Sequence, residues 1–458
     1  MAIEIVILGA GESGTGAALL AKAKGVSVFV SDKSAISEIN KAALIKAGID
    51  FEENQHSEDK ILTAKEIVKS PGIPENSPIV ALAIKKGIPV IDELEFASRY
   101  TKAKFIAITG SNGKTTTTLL TFHLMKKCGF NVGLAGNVGS SLARQVIEDK
   151  FDWYVLEISS FQLDGMKNFR ADIGILTNIT PDHLDRYAYK FENYIASKFR
   201  IIQNMGVGQT FIYNEFDQVV NDEIHHRNIG SQMISVGLNA GSKNVVFQAK
   251  GSLVFNLNAS SFLVSLASIP LQGEHNMLNA MMAISAVNIA GGSIGAIKEG
   301  IKDFQNAPHR CEIVAKFTNV LFVNDSKATN VDSVKYAFSA FSKPIVWIAG
   351  GVDKGNDYSE LDEAVKNKVS DLICLGVDNK KLKTHFKDKV KTISETTSVS
   401  DLVKMAYSTA KPGSTVLLSP ACASFDLFKN YEDRGNQFKA AVKELEIKIL
   451  NKIPESAK

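Results

Sequence analysis

The stretch Thr109-Gly110-Ser111-Asn112-Gly113-Lys114-Thr115-Thr116 lies between an apolar run, Phe105 to Ile108, and a segment of helical length, Thr117 to Cys128. Strand, glycine-flanked turn and helix in that order make a phosphate cradle, because backbone N–H groups and the positive end of the helix dipole face one concavity. A triphosphate fits that field. Lys114 would reach the β/γ-phosphate oxygens and the Thr115 hydroxyl would ligate Mg²⁺, with Gly110, Asn112, Gly113 and Thr116 completing an ATP loop. The spacing is shorter than the usual Gly-x-x-x-x-Gly-Lys, which would need a glycine at Ile108. Plain strand-to-helix connections also carry Gly-Lys-Thr, so the loop alone leaves both readings open.

Downstream, Val132 to Gly136, Phe151 to Leu156 and Ile173 to Leu176 are nearly continuous apolar runs, the pattern of parallel strands buried on both faces. Open α/β sheets bind ligands at the C-terminal ends of their strands. There stand Asn137, then Glu157 with Ser159-Ser160-Phe161-Gln162, then Asn178 with Pro181-Asp182-His183-Leu184-Asp185. Upstream, Ile3 to Leu8 feeds Gly9-Ala10-Gly11-Glu12-Ser13-Gly14, a helical Thr15 to Lys24, and Val26 to Val30 ending at Asp32. That is the order of a dinucleotide-binding turn, with Asp32 placed to meet a ribose. The same amides would hold NAD or a uridine diphosphate sugar. A strand ending in Ser70-Pro71-Gly72 closes this region, either as a rigid ligand loop or as simple punctuation.

A polar stretch near Arg99 to Lys104 marks one domain boundary, and Gln305 a second. Thr210 to Leu271 is strand-rich without evident chemistry. Gly273-Glu274-His275-Asn276 opens a helix through Ala290 that carries Asn276 and Asn279 on one face, where helix entry and capping is by itself the simpler role. Four further parallel-type strands, Val320 to Val323, Ile345 to Ile348, Asp371 to Leu375 and Thr415 to Leu418, imply a second doubly wound sheet. The expected fold is α/β in three domains. They are a Rossmann-like domain at 1–97, a central mononucleotide-binding domain with the phosphate loop at 98–305, and a Rossmann-like C-terminal domain at 306–458.

The 458 residues hold 52 Lys and Arg against 49 Asp and Glu, a net charge of +3, with no concentrated basic patch, so no nucleic-acid partner is expected. Cys128, Cys311, Cys374 and Cys422 lack Cys-x-x-Cys spacing, which argues against a disulfide framework and a structural zinc site and suits a reducing cytoplasm. No apolar run approaches the ~18 residues of a membrane span.

Taken together, Lys114, Glu157, His183, Lys198, His309-Arg310, Asp325-Ser326-Lys327 and Lys354 form a pattern. The chain resembles the Mur ligases, ATP-dependent amide-forming enzymes of bacterial cell-wall synthesis. The resemblance runs from Gly9–Gly14 through Thr109–Thr116, Glu157–Gln162, Asn178–Asp185, Gly273–Asn276 and His309-Arg310 to Asn324–Asn330 and Leu418–Ser424. The short phosphate loop is the family's own version. Asp-Ser-Lys-Ala-Thr-Asn and Ser-Pro-Ala-Cys-Ala-Ser, followed by Phe428-Lys429-Asn430-Tyr431 and Arg434-Gly435, look like the D-glutamate-adding branch. Near Asp32, Lys33 and Ser34 stand without an arginine, a departure in the uridine-binding region.

The resemblance implies UDP-N-acetylmuramoyl-L-alanine and D-glutamate as substrates, with ATP, two Mg²⁺ sites and an acyl-phosphate intermediate. It also implies a cytoplasmic monomer. Lys114, Glu157, His183, Lys198, Arg310 and Lys327 would carry catalysis. Thr115, Glu157, His183 and a carbamylated Lys198 would hold metal. Asn276 and Asn279 would meet adenine, Asp325 ribose and Arg310 the γ-phosphate once the third domain closes. Gly11, Ser13, Gly14, Asp32, Lys33, Ser70, Gly72, Asn137, Ser159, Gln162 and His183 would hold the nucleotide sugar, and Thr329, Lys354, Ser424 and Phe425 the D-glutamate. By itself, Lys198 on its amphipathic helix reads as a solvated lysine. Another amide ligase of the superfamily, adding a different amino acid or extending a folate, is the nearest alternative. A nucleotide-sensing regulator and an NAD-dependent dehydrogenase are the more distant ones.

Overall fold

The computed structural model describes residues 3–239, 245–257, 260–341 and 344–451. Three sheets organise them. The first has the order β3-β2-β1-β4-β5, all parallel, from β1 (Ile5–Leu8), β2 (Val28–Ser31), β3 (Asp50–Glu52), β4 (Glu66–Lys69) and β5 (Val90–Asp92). The second has nine strands: β6 (Lys104–Thr109), β7 (Val132–Gly136), β8 (Trp153–Glu157), β9 (Ile173–Leu176), β10 (Thr210–Asn214), β11 (Gln232–Gly237), β12 (Val246–Ala249), β13 (Ser252–Leu257) and β14 (Ser260–Ser265). Their order is β14-β13-β12-β11-β10-β9-β6-β8-β7, antiparallel only at β12/β13 and β13/β14. The third runs β15-β16-β20-β17-β18-β19, from β15 (Glu312–Phe317), β16 (Val320–Asn324), β17 (Ile345–Ala349), β18 (Val369–Leu375), β19 (Thr392–Thr396) and β20 (Thr415–Leu418), with only β15 antiparallel.

In each sheet one strand has, on its two opposite sides, neighbours that both come later or both come earlier in the chain: β1 between β2 and β4, β6 between β8 and β9, β20 between β16 and β17. Those are topological switch points, where the loops at the strand ends part and leave a crevice. The Gly9 turn faces Ser70 at the first, the phosphate loop stands beside Glu157 and Thr177 at the second, and Asp325, Gly350 and Ser419 meet at the third. The apolar β6 and β8 are almost wholly buried, as a sheet covered by helices on both faces requires.

The chain divides into two compact units, residues 1–270 with 278–304, and residues 271–277 with 305–458. The first unit holds two sheets. One apolar core runs from Ile7 and Val30 of the first sheet through Ala17, Leu94, Phe96 and Leu142 to Tyr154 and Leu156 of the second. The joint is polar as well. Glu93 accepts from the Ser141 hydroxyl (2.8 Å) and the Ala143 amide (2.6 Å), and Glu95 accepts from the amides of Lys167, Asn168 and Phe169 at 2.7–3.1 Å. Gly16 sits so close that a Cβ there would lie 2.2 Å from the Ser141 hydroxyl. The second unit packs both faces of its sheet, with Trp347 and Phe338 on one and Phe322, Leu418 and Phe438 on the other. No helix among the described residues is long and apolar enough to cross a membrane.

Candidate functional site

The helix after the phosphate loop begins at Lys114, three residues earlier than the apolar pattern suggests. Gly110 and Gly113 have φ of 148° and 82°, and a Cβ would fall 1.9 Å from the Thr177 hydroxyl and 2.5 Å from Asn279 Oδ1. No other residue fits these two places. The loop is held from the end of β9: the Asn112 amide donates to Asn178 Oδ1 at 2.8 Å, and Asn112 O accepts from the Thr177 hydroxyl at 2.6 Å. Ser111 Oγ donates to Thr180 O. Asn178 is thus a strut for the cradle. Lys114 Nζ lies over the loop, donating to Gly110 O (2.7 Å) and Ser111 O (2.8 Å). Thr115 and Thr116 are buried in the first helical turn.

Lys198 lies on the helix Phe191–Phe199 and is 1% exposed. The expectation of a solvated lysine fails because Tyr194, Ile195 and Phe199 turn this face into the core. Its Nζ donates to Gly110 O at 2.8 Å and contacts the Thr109 hydroxyl at 3.3 Å. Burial, with Lys114 nearby, holds its pKa well below the usual lysine range. Glu157 ends β8, level with Ile108 of β6. Its Oε1 accepts from Asn137 Nδ2 at 2.8 Å, while Oε2 is buried without a protein partner. A carboxylate oxygen so placed beside a phosphate loop fits a divalent cation. No group of three or more His, Cys, Asp or Glu poised for a metal exists among the described residues.

A cavity of about 300 Å³ gathers Gly72, Lys114, Asn137, Ser159, His183 and Lys198 around it. His183 has φ of 52°, and its exposed ring packs edge-on to Phe161 at 5.1 Å. Ser159 caps the helix Ser160–Asp164. Gln162, 2% exposed, closes the capping box by accepting from the Ser159 amide at 2.9 Å, so its side chain orients Ser159. Arg186, unremarked in the sequence, lies over the Phe161 ring at 4.2 Å and reaches Pro71 O and Gly72 O, each at 3.4 Å.

At the first crevice a Cβ on Gly14 would stand 1.8 Å from Gly9 O, so the helix can begin against the turn only with glycine there. Asp32 binds the turn directly, accepting from the Ala10 amide (2.7 Å) and the Ser34 amide (2.8 Å). Ser70 donates to Gly9 O at 3.2 Å. Gly11 faces open space, Ser13 is half-buried and Lys33 is exposed.

In the second unit Asp325 is buried and accepts from the Ser419 hydroxyl (2.8 Å) and the Cys311 amide (3.1 Å); burial pushes its pKa up to about 7. Lys327 Nζ donates to the Tyr431 hydroxyl at 2.7 Å and lies 4.0 Å over that ring. Arg310 is half-buried beside His309, whose φ of 65° marks a tight turn. A short antiparallel bridge, Val352 to Ala423, ties the loop carrying Lys354 to the loop carrying Ser424. Thr329 is half-buried, Lys354 exposed and Ser424 buried, whereas Phe425 is 68% exposed. Asn276 Nδ2 donates to Gln272 O at 2.8 Å.

Three family models match in order: Mur ligase MurD-like, N-terminal domain, at 3–92; Mur ligase middle domain at 108–287; and Mur ligase, glutamate ligase domain, at 309–422. The chain belongs to the Mur ligase family. Mur ligases similar to it include the UDP-N-acetylmuramoylalanine–D-glutamate ligase of Cytophaga hutchinsonii, 53% identical over 97% of this chain and 100% of that one. The ligase of the same name from Bacteroides fragilis is 49% identical over 96% and 99%. Among solved Mur ligase folds, the pseudomurein peptide ligase type C of Methanothermus fervidus aligns over 96% of this chain and 99% of its own. Its TM-score is 0.62 at 19% identity. The MurF ligase of Thermotoga maritima in complex with ADP covers 92% and 95%, with a TM-score of 0.61 at 15% identity. These two show the fold.

Within this Mur ligase, sequence reasoning passed over Arg186, Glu93, Glu95 and Arg434 as working parts. Each is charged, and only what packs around it sets it apart: Glu93, Glu95 and Arg434 are buried and Arg186 lies over the Phe161 ring.

Proposed function

We propose that this Mur ligase joins D-glutamate to UDP-N-acetylmuramoyl-L-alanine in peptidoglycan precursor synthesis, acting as a cytoplasmic monomer. The alanyl carboxylate attacks the γ-phosphorus of ATP, giving an acyl phosphate and ADP. The D-glutamate amine then attacks the acyl carbon, loses a proton and expels phosphate. The observation that carries this reading is the cavity where Lys114, Asn137, Ser159, His183 and Lys198 of the central sheet meet Gly72 of the first.

Lys114 and the loop amides hold the β/γ-phosphates. Mg²⁺ supplies charge neutralisation between the phosphate oxygens when bound. Thr115 and Glu157 fit one such ion, the unpartnered Oε2 being the supporting observation. His183 and a carbamylated Lys198 fit the second. An ammonium offers a metal no lone pair, whereas a carbamate offers an anionic oxygen pair. Lys198 is suited to that change because its hydrogen-bond partners, a carbonyl and a hydroxyl, are neutral. Its amine nitrogen bonds to the carbon of CO₂ and one proton is released.

Asn276 and Asn279 serve adenine, Asp325 the ribose and Arg310 the γ-phosphate, while Lys327 steadies the acyl phosphate. Gly11, Ser13, Gly14, Asp32, Lys33, Ser70, Gly72, Asn137, Ser159 and His183 shape the nucleotide-sugar site, Gln162 acting through Ser159. Thr329, Lys354, Ser424 and Phe425 receive D-glutamate. The three parts divide at 1–97, 98–305 and 306–458.

The test is phosphate release from ATP with the muramoyl-alanine nucleotide and a panel of amino acids. Turnover is expected with D-glutamate alone. Turnover with another amino acid, or with a folate acceptor, moves the chain to another branch of the superfamily. No release with any combination makes it a nucleotide sensor.

A further inference from the structure

Arg434 lies in the first turn of the helix Tyr431–Leu450, which Asn430 caps through Oδ1 and the Asp433 amide at 2.8 Å. It is 1% exposed. All its guanidinium nitrogens are engaged. Nε donates to Ser326 Oγ at 3.0 Å, Nη2 to Ser326 O at 2.9 Å and Cys422 O at 3.2 Å, and Nη1 to Gly350 O at 3.3 Å and Cys422 O at 3.2 Å. These acceptors come from three strand-end loops. Ser326 stands between Asp325 and Lys327, Gly350 opens the loop that carries Lys354, and Cys422 lies two residues before Ser424.

Every one of those acceptors is neutral, a hydroxyl or a carbonyl. The carboxylate that acts on the guanidinium, Asp426, does so through space; its own Oδ2 accepts from the Val377 amide at 3.0 Å. A buried charge hydrogen-bonded only to neutral groups is costly, and packing alone would favour an apolar side chain of the same volume. The loops are fitted closely around it. Gly351 has φ of 124°, and a Cβ there would lie 2.1 Å from Ala423 O and 3.3 Å from Arg434 Nη1; a Cβ on Gly435 would lie 2.1 Å from His309 Nδ1. A rigid planar fork with five donors can bridge three loops at once, which a lysine cannot.

We propose that Arg434 is a positioning residue for the amino-acid end of this ligase: it fixes the three loops relative to one another and sets a buried positive charge beneath them for an acidic amino acid. An arriving carboxylate meets a field already in place, and part of the cost of burying the guanidinium is recovered on binding. This inference rests on the assignment of Lys354 and Ser424 to D-glutamate.

The experiment compares wild type with Arg434→Met and Arg434→Lys, measuring KM separately for D-glutamate, ATP and the muramoyl nucleotide, together with Tm. Arg434→Met is expected to raise KM for D-glutamate about tenfold or more, since hydrogen bonds to charged groups are among the stronger ones. KM for the muramoyl nucleotide stays within about twofold, and Arg434→Lys recovers part of the loss. A folded Arg434→Met protein with unchanged KM for D-glutamate overturns the proposal, as does a fall in kcat with all three KM values unmoved. If Arg434→Met does not fold, Ser326→Ala takes its place. Removing the Nε acceptor raises the same KM severalfold or the proposal fails. A wild-type enzyme that uses a different acidic amino acid overturns the D-glutamate assignment but leaves the Arg434 comparison intact with that substrate. Use of a neutral amino acid overturns both. Calorimetric binding of D-glutamate to wild type and Arg434→Met makes the comparison without turnover, and equal affinity or no binding overturns it.

Discussion

Lys198 illustrates how far a residue's chemistry depends on what covers it. Its helix opens with the exposed Lys190 and Glu192, yet its own amine is sealed against the carbonyl of Gly110. Burial, with the Lys114 charge nearby, outweighs the pull of Asp182, Asp164 and Glu157 and favours the uncharged amine, the form that can bond CO₂. Lys198→Ala is therefore expected to lower kcat by about two orders of magnitude, the usual effect of losing one organised electrostatic element, with little loss of Tm. Phosphate-release assays with and without bicarbonate, and ¹³C NMR of protein in labelled bicarbonate, check it. Full activity of Lys198→Ala in bicarbonate-free buffer would remove Lys198 from the mechanism.

The helix Glu93–Ser98 shows the same dependence one level up. Glu93 is wholly buried against the start of the helix Leu142–Val146, and desolvation pushes its pKa up from 4.5 to about 7 despite two hydrogen bonds that favour the anion. The sign follows from linkage. Between pH ~4.5 and ~7 the unfolded chain has released this proton while the folded one still holds it, so Glu93 subtracts stability as pH rises through that window. The full effect is on the order of 3 kcal/mol. Glu93→Gln keeps a carbonyl for Ser141 and Ala143 and cannot ionise. Urea unfolding at pH 5 and pH 8 should show wild type losing stability relative to Glu93→Gln at the higher pH, and parallel pH profiles would contradict this. Much of the site was legible in sequence because apolar runs ended in polar residues at Asn137, Glu157, Asn178, Asp325 and Ser419, and strand ends are where such sheets bind ligands. What was not legible depended on tertiary burial: Gln162 turned inward as a cap, Phe425 turned outward, and Lys198 and Arg434 were enclosed. A charged residue in a polar run looks the same in sequence whether or not a neighbouring element covers it.

The molecule as a whole has two compact units, each with its own apolar core. Units with separate cores lose structure independently unless their coupling exceeds their own stability. Differential scanning calorimetry is expected to resolve more than one transition. The muramoyl nucleotide, whose assigned contacts all lie in the first unit, should raise one transition by an amount that grows with the logarithm of its concentration. A single transition with equal calorimetric and van't Hoff enthalpies would mean the units unfold together.

The joint inside the first unit bears on how such proteins can be recombined. A chimera cut just after Asp92, where β5 ends, separates the first sheet from Glu93 and Glu95, yet those carboxylates were shaped by backbone amides at 143 and 167–169. A donor sheet brought in with its own version of that short helix would leave four amides without acceptors. The modular seam for grafting a foreign nucleotide-sugar domain therefore lies ahead of residue 93, with the helix inherited from the recipient.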